Sequence, residues 1–329
     1  MTDSLLNFWY GVELSTSLND KPLSLTLLDQ RYVIYRDSAG KVHAAVDRCP
    51  HRGASFAKGW VEADCLRCPY HGWSFDQDGR CVRIPADQEG ISIPSQARLT
   101  KLAVREQSGF IWLFPGDQDK ADVALIPPFP EYGAPGWRPV SGEYFWKANF
   151  SRVVESGLDT SHAPFVHKPF FVNRDDAAVW PFEVEENAHY VRCQMQTKPP
   201  ERLGLLKYIV KRDRKFSSSR LTGYLPNINR IAIDFNWRGY QYIYFASNIP
   251  VSREITLTKW IGMRNFLPFA WADKNSLDNT VNTYLEDQAI VETQEAAPSW
   301  ERGQRDLLLS SDQLILAYRK AMQRSLANS

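Results

Sequence analysis

With 329 residues, the chain exceeds the ~250–300 that one hydrophobic core usually serves, so two domains are expected. An apolar fraction of 43% and a charged fraction of 23% are those of an ordinary globular protein and exclude general disorder, collagen-like repeats and a disulfide-built miniprotein. Lys and Arg number 39 against 38 Asp and Glu, a net charge of +1, which offers no positive excess for nucleic acid or an anionic membrane surface. No apolar run approaches the ~18 residues that span a bilayer. No basic stretch precedes an apolar one near Met1, so no secretory leader is expected.

Residues 1–118 read as short strands broken by turns. Arg31–Arg36 and Val42–Val46 flank a Ser-Ala-Gly turn, and Asp78-Gly79 joins Trp73–Phe75 to Cys81–Ile84 as a hairpin. Val104 and Gly109–Phe114 supply later strands. Residues 119–139 hold Pro127, Pro128, Pro130, Pro135 and Pro139 and read as a linker. From 140 to 329 the pattern is mixed. Ala148–His167 places Asn149, Val153, Val154, Leu158 and His162 at helical spacing, ending near Pro164. Segments 182–197, 229–249 and 253–262 read as antiparallel strands. Ser276–Ala297 is a long helix with Ser276 as its cap, and a further helix runs from Arg305 to about Leu326.

Five cysteines, Cys49, Cys65, Cys68, Cys81 and Cys193, are too few and too scattered for a disulfide framework, and point to a reducing cytoplasm. Two of them join two histidines in the pattern Cys49-x-His51, sixteen residues, Cys68-x-x-His71. Thiolate and imidazole are the ligands that iron and zinc prefer. A [2Fe–2S] cluster takes four ligands, and two imidazoles on one iron in place of two thiolates give the Rieske arrangement. Cys49 and Cys68 then hold one iron, and His51 and His71 the other. The rival is a structural zinc set of Cys49, Cys65, Cys68 and His71. Cys81 and Cys193 read as core thiols.

The segments CPHRGA and CPYHGW resemble the Rieske centre of non-haem iron oxygenases. Respiratory Rieske proteins are similar but add a disulfide between the loops. Ala54 and Tyr70 stand at those positions here, so the resemblance is to the soluble oxygenase type. The fold class it implies is α+β: an N-terminal all-β Rieske domain, then a helix-grip catalytic domain with an antiparallel sheet.

A second constellation lies in ESGLDTSHAPFVH, where His162 and His167 stand five apart. Two His and one carboxylate on one face of Fe(II) form the recurrent non-haem oxygenase site, with positions left open for dioxygen and substrate. The stretch resembles the family's Asp-x-x-His-x4-His element at Asp159, His162 and His167. YLEDQAIVETQ resembles the family's late helix, which matches Asp287 to the third ligand. Asp287 shares a helical face with Tyr284, Ile290 and Val291, whereas Glu286 reads as a solvated helix charge. By resemblance, electrons pass from His71 of one chain through Asp159 to His162 of its neighbour, which requires a closed ring, usually a homotrimer. Many relatives carry Asn where Ser156 stands. Within the family, VVESGLDTSHAPFVH is similar to pheophorbide oxygenases and saxitoxin-pathway hydroxylases.

The resemblance implies a terminal oxygenase component with a [2Fe–2S] cluster and one Fe(II), using dioxygen and electrons from a ferredoxin or flavin reductase. Its substrate is a small organic molecule, polycyclic and heterocyclic compounds included, and hydroxylation is the expected outcome. Arg48, Arg52, Lys58, Arg67, Arg80 and Arg83 surround the cluster loops and suit an acidic electron carrier, or form an ordinary solvated surface. Lys207, Lys211, Arg212, Arg214 and Lys215, beside Ser217–Ser219, read as an exposed loop. Tyr240, Tyr242, Tyr244, Asn236 and Asn248 are candidates to line a cavity, though alternating aromatics on strands are more often core. His43 and His189 receive no role. The alternatives are a Rieske electron carrier without oxygenase activity and a zinc-stapled interaction protein.

Overall fold

The computed structural model describes residues 3–87, 90, 92–167, 177–197, 217–295, 300–301 and 306–327. The chain divides into two compact units, Met1–Ile126 and Pro127–Ser329, and the division falls within the Pro-rich stretch.

The first unit is built from β1 (Tyr10–Leu14), β2 (Leu23–Leu27), β3 (Gln30–Arg36), β4 (Val42–Val46), β5 (Trp60–Glu62), β6 (Cys65–Arg67), β7 (Ser74–Phe75), β8 (Cys81–Arg83), β9 (Ala103–Gln107) and β10 (Phe110–Phe114). They form three antiparallel sheets in the orders β1-β10-β9, β2-β3-β4 and β5-β6-β7-β8. The Asp78-Gly79 hairpin closes β7 on β8. The Asp76 carboxylate accepts the backbone N–H groups of Asp78 and Arg80 at 2.9 and 2.8 Å, and Gly79 takes φ +75°. Phe56, Leu66 and Phe75 are fully buried, and Cys49 and Cys68 sit in the same apolar cluster. Burial of each such large side chain is worth roughly 1.5–3 kcal/mol. This packing holds the roots of both cysteine loops in one core.

The second unit carries a seven-stranded antiparallel sheet of β11 (Arg138–Trp146), β12 (Val184–Glu186), β13 (Tyr190–Thr197), β14 (Ser217–Tyr224), β15 (Ile228–Asp234), β16 (Gln241–Pro250) and β17 (Thr256–Arg264). The spatial order is β11-β17-β16-β15-β14-β13-β12. Among the described residues four α-helices accompany it: α1 (Phe150–Leu158), α2 (Ala163–Val166), α3 (Asp273–Val291) and α4 (Gln313–Ala327). In α1 the buried Phe150, Val153, Val154 and Leu158 recur at helical spacing, and the helix packs on β14, β15 and β16. Asn149 caps it, accepting the Ser151 N–H at 3.1 Å.

Several expected boundaries shift. The single helix over Ala148–His167 is two helices, because the Asp159 carboxylate accepts N–H groups of Ser161 and His162 and so competes with helical bonding. The long helix starts at Asp273 rather than Ser276, and Ser276 is no cap; it ends at Val291 rather than Ala297. The last helix begins at Gln313, not Arg305. Ser217–Ser219 lie in β14 instead of a loop. The basic residues Lys207, Lys211, Arg212, Arg214 and Lys215 lie outside the described residues.

Candidate metal centres

Two loops of the first unit repeat one design. The Cys49 N–H donates to the Ala54 carbonyl, and Gly53 N–H returns to the Cys49 carbonyl, at 2.9 and 2.8 Å. In the second loop Cys68 N–H donates to Trp73 O, and Gly72 N–H to Cys68 O, at 2.9 and 3.0 Å. Gly53 and Gly72 take φ +75° and +70°, a region that disfavours any side chain. Cys49 and Cys68 are buried. His51 is exposed, and its ring lies 4.6 Å from that of His71 and stacks on Trp73 at 4.7 Å. Tyr70 covers His71 at 3.8 Å between ring centres. The carboxylate of the fully buried Asp47, unremarked in the sequence, anchors the first loop. It accepts the hydroxyls of Ser24 and Ser55 and the N–H of Phe56.

The donor set fits a two-iron cluster. Burial pushes the Cys49 thiol up to about 12, with the neighbouring Cys68 thiol adding to the shift. Such a thiol ionises when a metal binds it. The zinc alternative does not assemble. Among the described residues, the one group of three or more His, Cys, Asp or Glu whose ligand atoms lie within 4.8 Å of one another is His162, His167 and Asp287, so Cys49, Cys65, Cys68 and His71 do not converge. A binuclear cluster has no need for such convergence, because it separates its thiolate pair from its imidazole pair.

That single converging group lies in the second unit. His162 precedes α2 and His167 ends it, so the short helix turns both rings toward α3. Their Nε2 atoms are 3.1 Å apart. Asp287 Oδ1 lies 3.5 Å from His162 Nε2 and 3.4 Å from His167 Nε2. Ligands ~2.1 Å from one ion at right angles lie ~3 Å apart, so this near-equilateral triangle suits one face of an octahedral metal. Burial pushes Asp287 up to about 7, with Glu286 and Asp159 adding and His162 opposing. Burial and the nearby His162 bring His167 down to about 4, which keeps it in the neutral form that binds metal. Burial works against charge on His162, but Asp159 and Asp287 outweigh it and hold its pKa above the ordinary value. Asp159 stands at about 2, because His162 and the donors of Ser161 overcome its burial. Its Oδ1 lies 3.8 Å from His162 Nδ1.

Glu286 corrects the sequence reading. It is no solvated charge: its Oε2 lies 3.0 Å from His167 Nδ1. This contact fixes the Nδ1–H tautomer and aims Nε2 at the triangle. Glu286→Gln is expected to weaken mononuclear iron binding ~10–100-fold without changing the cluster's visible spectrum. Iron titration of protein carrying an intact cluster measures this directly; unchanged affinity would remove the positioning role.

A cavity of about 280 Å³ opens on the triangle. Its walls are mostly apolar and include Val153, Leu221, Ile231, Ile233 and Met195. Tyr242, Tyr244 and Asn248 line it, as do Ser156, Asp159 and Gly157. Tyr240 and Asn236 do not: Tyr240 precedes β16, and Asn236 occupies a turn at φ +51°. His43 instead pairs with Asp37 at 2.8 Å inside the first unit, and His189 has no place in either centre.

The fold and the two centres define a Rieske-type iron–sulfur unit joined to an α+β unit with a two-histidine, one-carboxylate triangle. Residues 8–102 match the Rieske [2Fe-2S] domain, and residues 146–328, more than half of the chain, match the vanillate O-demethylase oxygenase C-terminal domain. The chain therefore belongs to the Rieske non-haem iron oxygenases, a family with a [2Fe–2S] cluster and a mononuclear catalytic iron. Similar proteins include the chloroplastic protein TIC 55 of Arabidopsis thaliana, 32% identical over 55% of this chain and 34% of that protein. Another is the 4beta-methylsterol monooxygenase of Methylococcus capsulatus, 37% identical over 49% of this chain and 44% of that protein. The matches thus span between a third and a half of the length of these curated relatives. A solved structure of dicamba monooxygenase bound to dicamba superposes with a TM-score of 0.83 at 25% identity, covering 98% of each chain. No helix among the described residues is long and apolar enough to cross a membrane.

Proposed function

We propose that the chain is the terminal oxygenase component of a multi-component system that hydroxylates a small, largely apolar organic molecule. The observation that carries this reading is the His162–His167–Asp287 triangle at the base of an apolar cavity, in a chain that also holds the paired Cys/His loops. Cys49, His51, Cys68 and His71 are the cluster residues in this reading; His162, His167 and Asp287 hold Fe(II). The iron, when bound, supplies dioxygen activation, and the cluster supplies single electrons. The chain's own residues do the rest. Glu286 orients His167, the aliphatic wall holds substrate and keeps competing water out, and Tyr242 and Tyr244 shape the floor.

In the same reading the N-terminal unit is the Rieske domain, the segment near 119–139 links it to the catalytic domain, and the protein works in the cytoplasm. Electrons arrive from a ferredoxin or flavin reductase. Arg48, Arg52, Lys58, Arg80 and Arg83 are exposed and make no ion pair among the described residues, which suits an acidic carrier; Arg67 is already paired with Glu62 at 2.7 Å. The route from cluster to iron runs from His71 of one copy to Asp159 and His162 of the next, in a homotrimer. A carboxylate between two imidazole N–H groups couples both rings.

Metal and sulfide analysis of purified protein tests the function against its rival. Three iron per chain with two sulfides and single-turnover product formation are expected. Two iron and no product would leave an electron carrier. Asp159→Asn is expected to keep both metal centres and to slow cluster oxidation during turnover at least ~10-fold; stopped-flow traces that match wild type would remove the bridge.

A further inference from the structure

The triangle stands where two cavities meet. Besides the apolar cavity walled by the sheet, a second of about 290 Å³ reaches the same place, and its lining includes Ile290, Gln294, Asp306, Leu308 and, from α4, Ile315 and Arg319. Among the described residues, Ser156, Asp159, His162 and Asp287 are the ones that line both.

The first cavity is mostly apolar, whereas the second mixes aliphatic side chains such as Ile290, Leu308 and Ile315 with a cluster of ion pairs. Arg319 donates to Glu155 at 2.7 and 2.8 Å and to Asp306 at 2.6 Å, and Arg152 donates to Asp306 at 2.6 Å. The charges of both guanidiniums are therefore compensated by carboxylates within the cavity wall. Its carboxylates do not gather into a second metal site, because the iron triangle is the one converging group among the described residues. An apolar ligand would strip water from these ion pairs without replacing its hydrogen bonds. Water is the occupant that suits such walls. At the junction, the Ser156 hydroxyl makes no hydrogen bond within the described residues, so it can accept one from water and pass one on.

We infer that the second cavity is a hydrated compartment that delivers solvent protons to the metal centre by a path separate from the substrate cavity, with Ser156 at its inner end. This rests on the oxygenase reading. One hydroxylation takes a substrate C–H, one dioxygen, two electrons and two protons, and gives C–OH and one water. The electrons come from the external reductase through the cluster. The protons come from solvent, and a substrate seated among Val153, Leu221, Ile231 and Ile233 blocks the apolar approach. The second cavity is then the remaining approach for protons and an exit for the product water. Electrons routed through Asp159 would then reach the iron at the wall where this cavity ends.

The test uses the full chain with both metal centres loaded, substrate present and nitric oxide as a magnetic probe on the ferrous ion. Ile290 lines the second cavity and is 50% exposed, so Ile290→Trp adds bulk without loading the core; Leu308→Trp is the second plug. After rapid mixing into D2O, deuterium near the probe is read by electron spin-echo modulation. Wild-type protein should acquire it at least ~10-fold faster than either plugged variant, and the solvent isotope effect on single-turnover cluster oxidation should rise in the variants. Ser156→Ala should form less product per dioxygen consumed, with more peroxide released. Deuterium uptake at wild-type rates in both folded, iron-loaded plugs overturns the inference while leaving the oxygenase reading intact. A wild-type protein that binds no third iron or forms no product overturns that reading instead.

Discussion

Asp287→Ala is expected to abolish product formation and lower the iron content from three to two per chain, with the reduced cluster's electron paramagnetic resonance signal unchanged. The reason lies in the composition of the triangle. His162 and His167 contribute neutral nitrogens, and Asp287 is its only anion. A hydrogen-bond partner of a ligand is worth ~10–100-fold in affinity; the ligand carrying the neutralising charge is worth more. Among the described residues the apolar cavity offers one other carboxylate, Asp159, whose Oδ1 is engaged by Ser161 and the His162 N–H. The neighbouring Glu286 is held on the far nitrogen of His167. Neither can take over without breaking those bonds. Asp287→Glu, which keeps the charge but lengthens the arm, should retain iron and lose most of the rate. Three iron per chain in the alanine variant would move the ligand to Glu286, and the double variant would then decide the matter.

How much of this was legible in the sequence follows from distance along the chain. The two Cys/His loops stand out in the sequence because each pairs a Cys with a His inside a few residues, and because glycines at 53 and 72 mark tight turns. His162 and His167 were readable as a pair for the same reason. Asp287 lies more than a hundred residues away on a helix whose exposed face carries Leu285 and Ile290, so helical pattern alone could not single it out. Glu286 was misread because adjacent helix positions point about 100° apart, which normally puts one of two acids in solvent; here α2 packs against α3 and meets both. β11 was hidden by Pro139 and Gly142, which resemble linker. Among the described strands it pairs with β17 alone, and an edge strand tolerates a residue that lacks an N–H. The α3 boundary was missed because its start is set by a tertiary ion pair rather than by a capping side chain.

That ion pair carries the second large effect. Asp273 opens α3, where a carboxylate also complements the positive end of the helix dipole. It accepts from Arg138 Nη2 at 2.7 Å and from the buried Arg264, whose positions are register partners on β11 and β17. The helix that bears Asp287 is thereby pinned to the sheet. Asp273→Asn is expected to destabilise the second unit by about 3 kcal/mol, because Arg264, with 1% of its side chain exposed, is left without its counter-charge. For a unit of this size the melting temperature should fall by roughly 6–12 °C. The pH dependence carries the same signature. Arg138 and Arg264 hold the Asp273 carboxyl at about 2, below its ordinary 3.8. A depressed carboxylate pKa adds stability that is fully present above the unfolded value and is lost as pH falls through the folded one. Wild-type protein should therefore lose this contribution between about pH 4 and pH 2, whereas Asp273→Asn should lack it at every pH and lose less on acidification over that range. Parallel acid limbs for the two proteins would show that the pair contributes nothing. Displacement of α3 should also lower iron occupancy at His162, His167 and Asp287 before the protein unfolds, and iron content measured along the same thermal scan would report it.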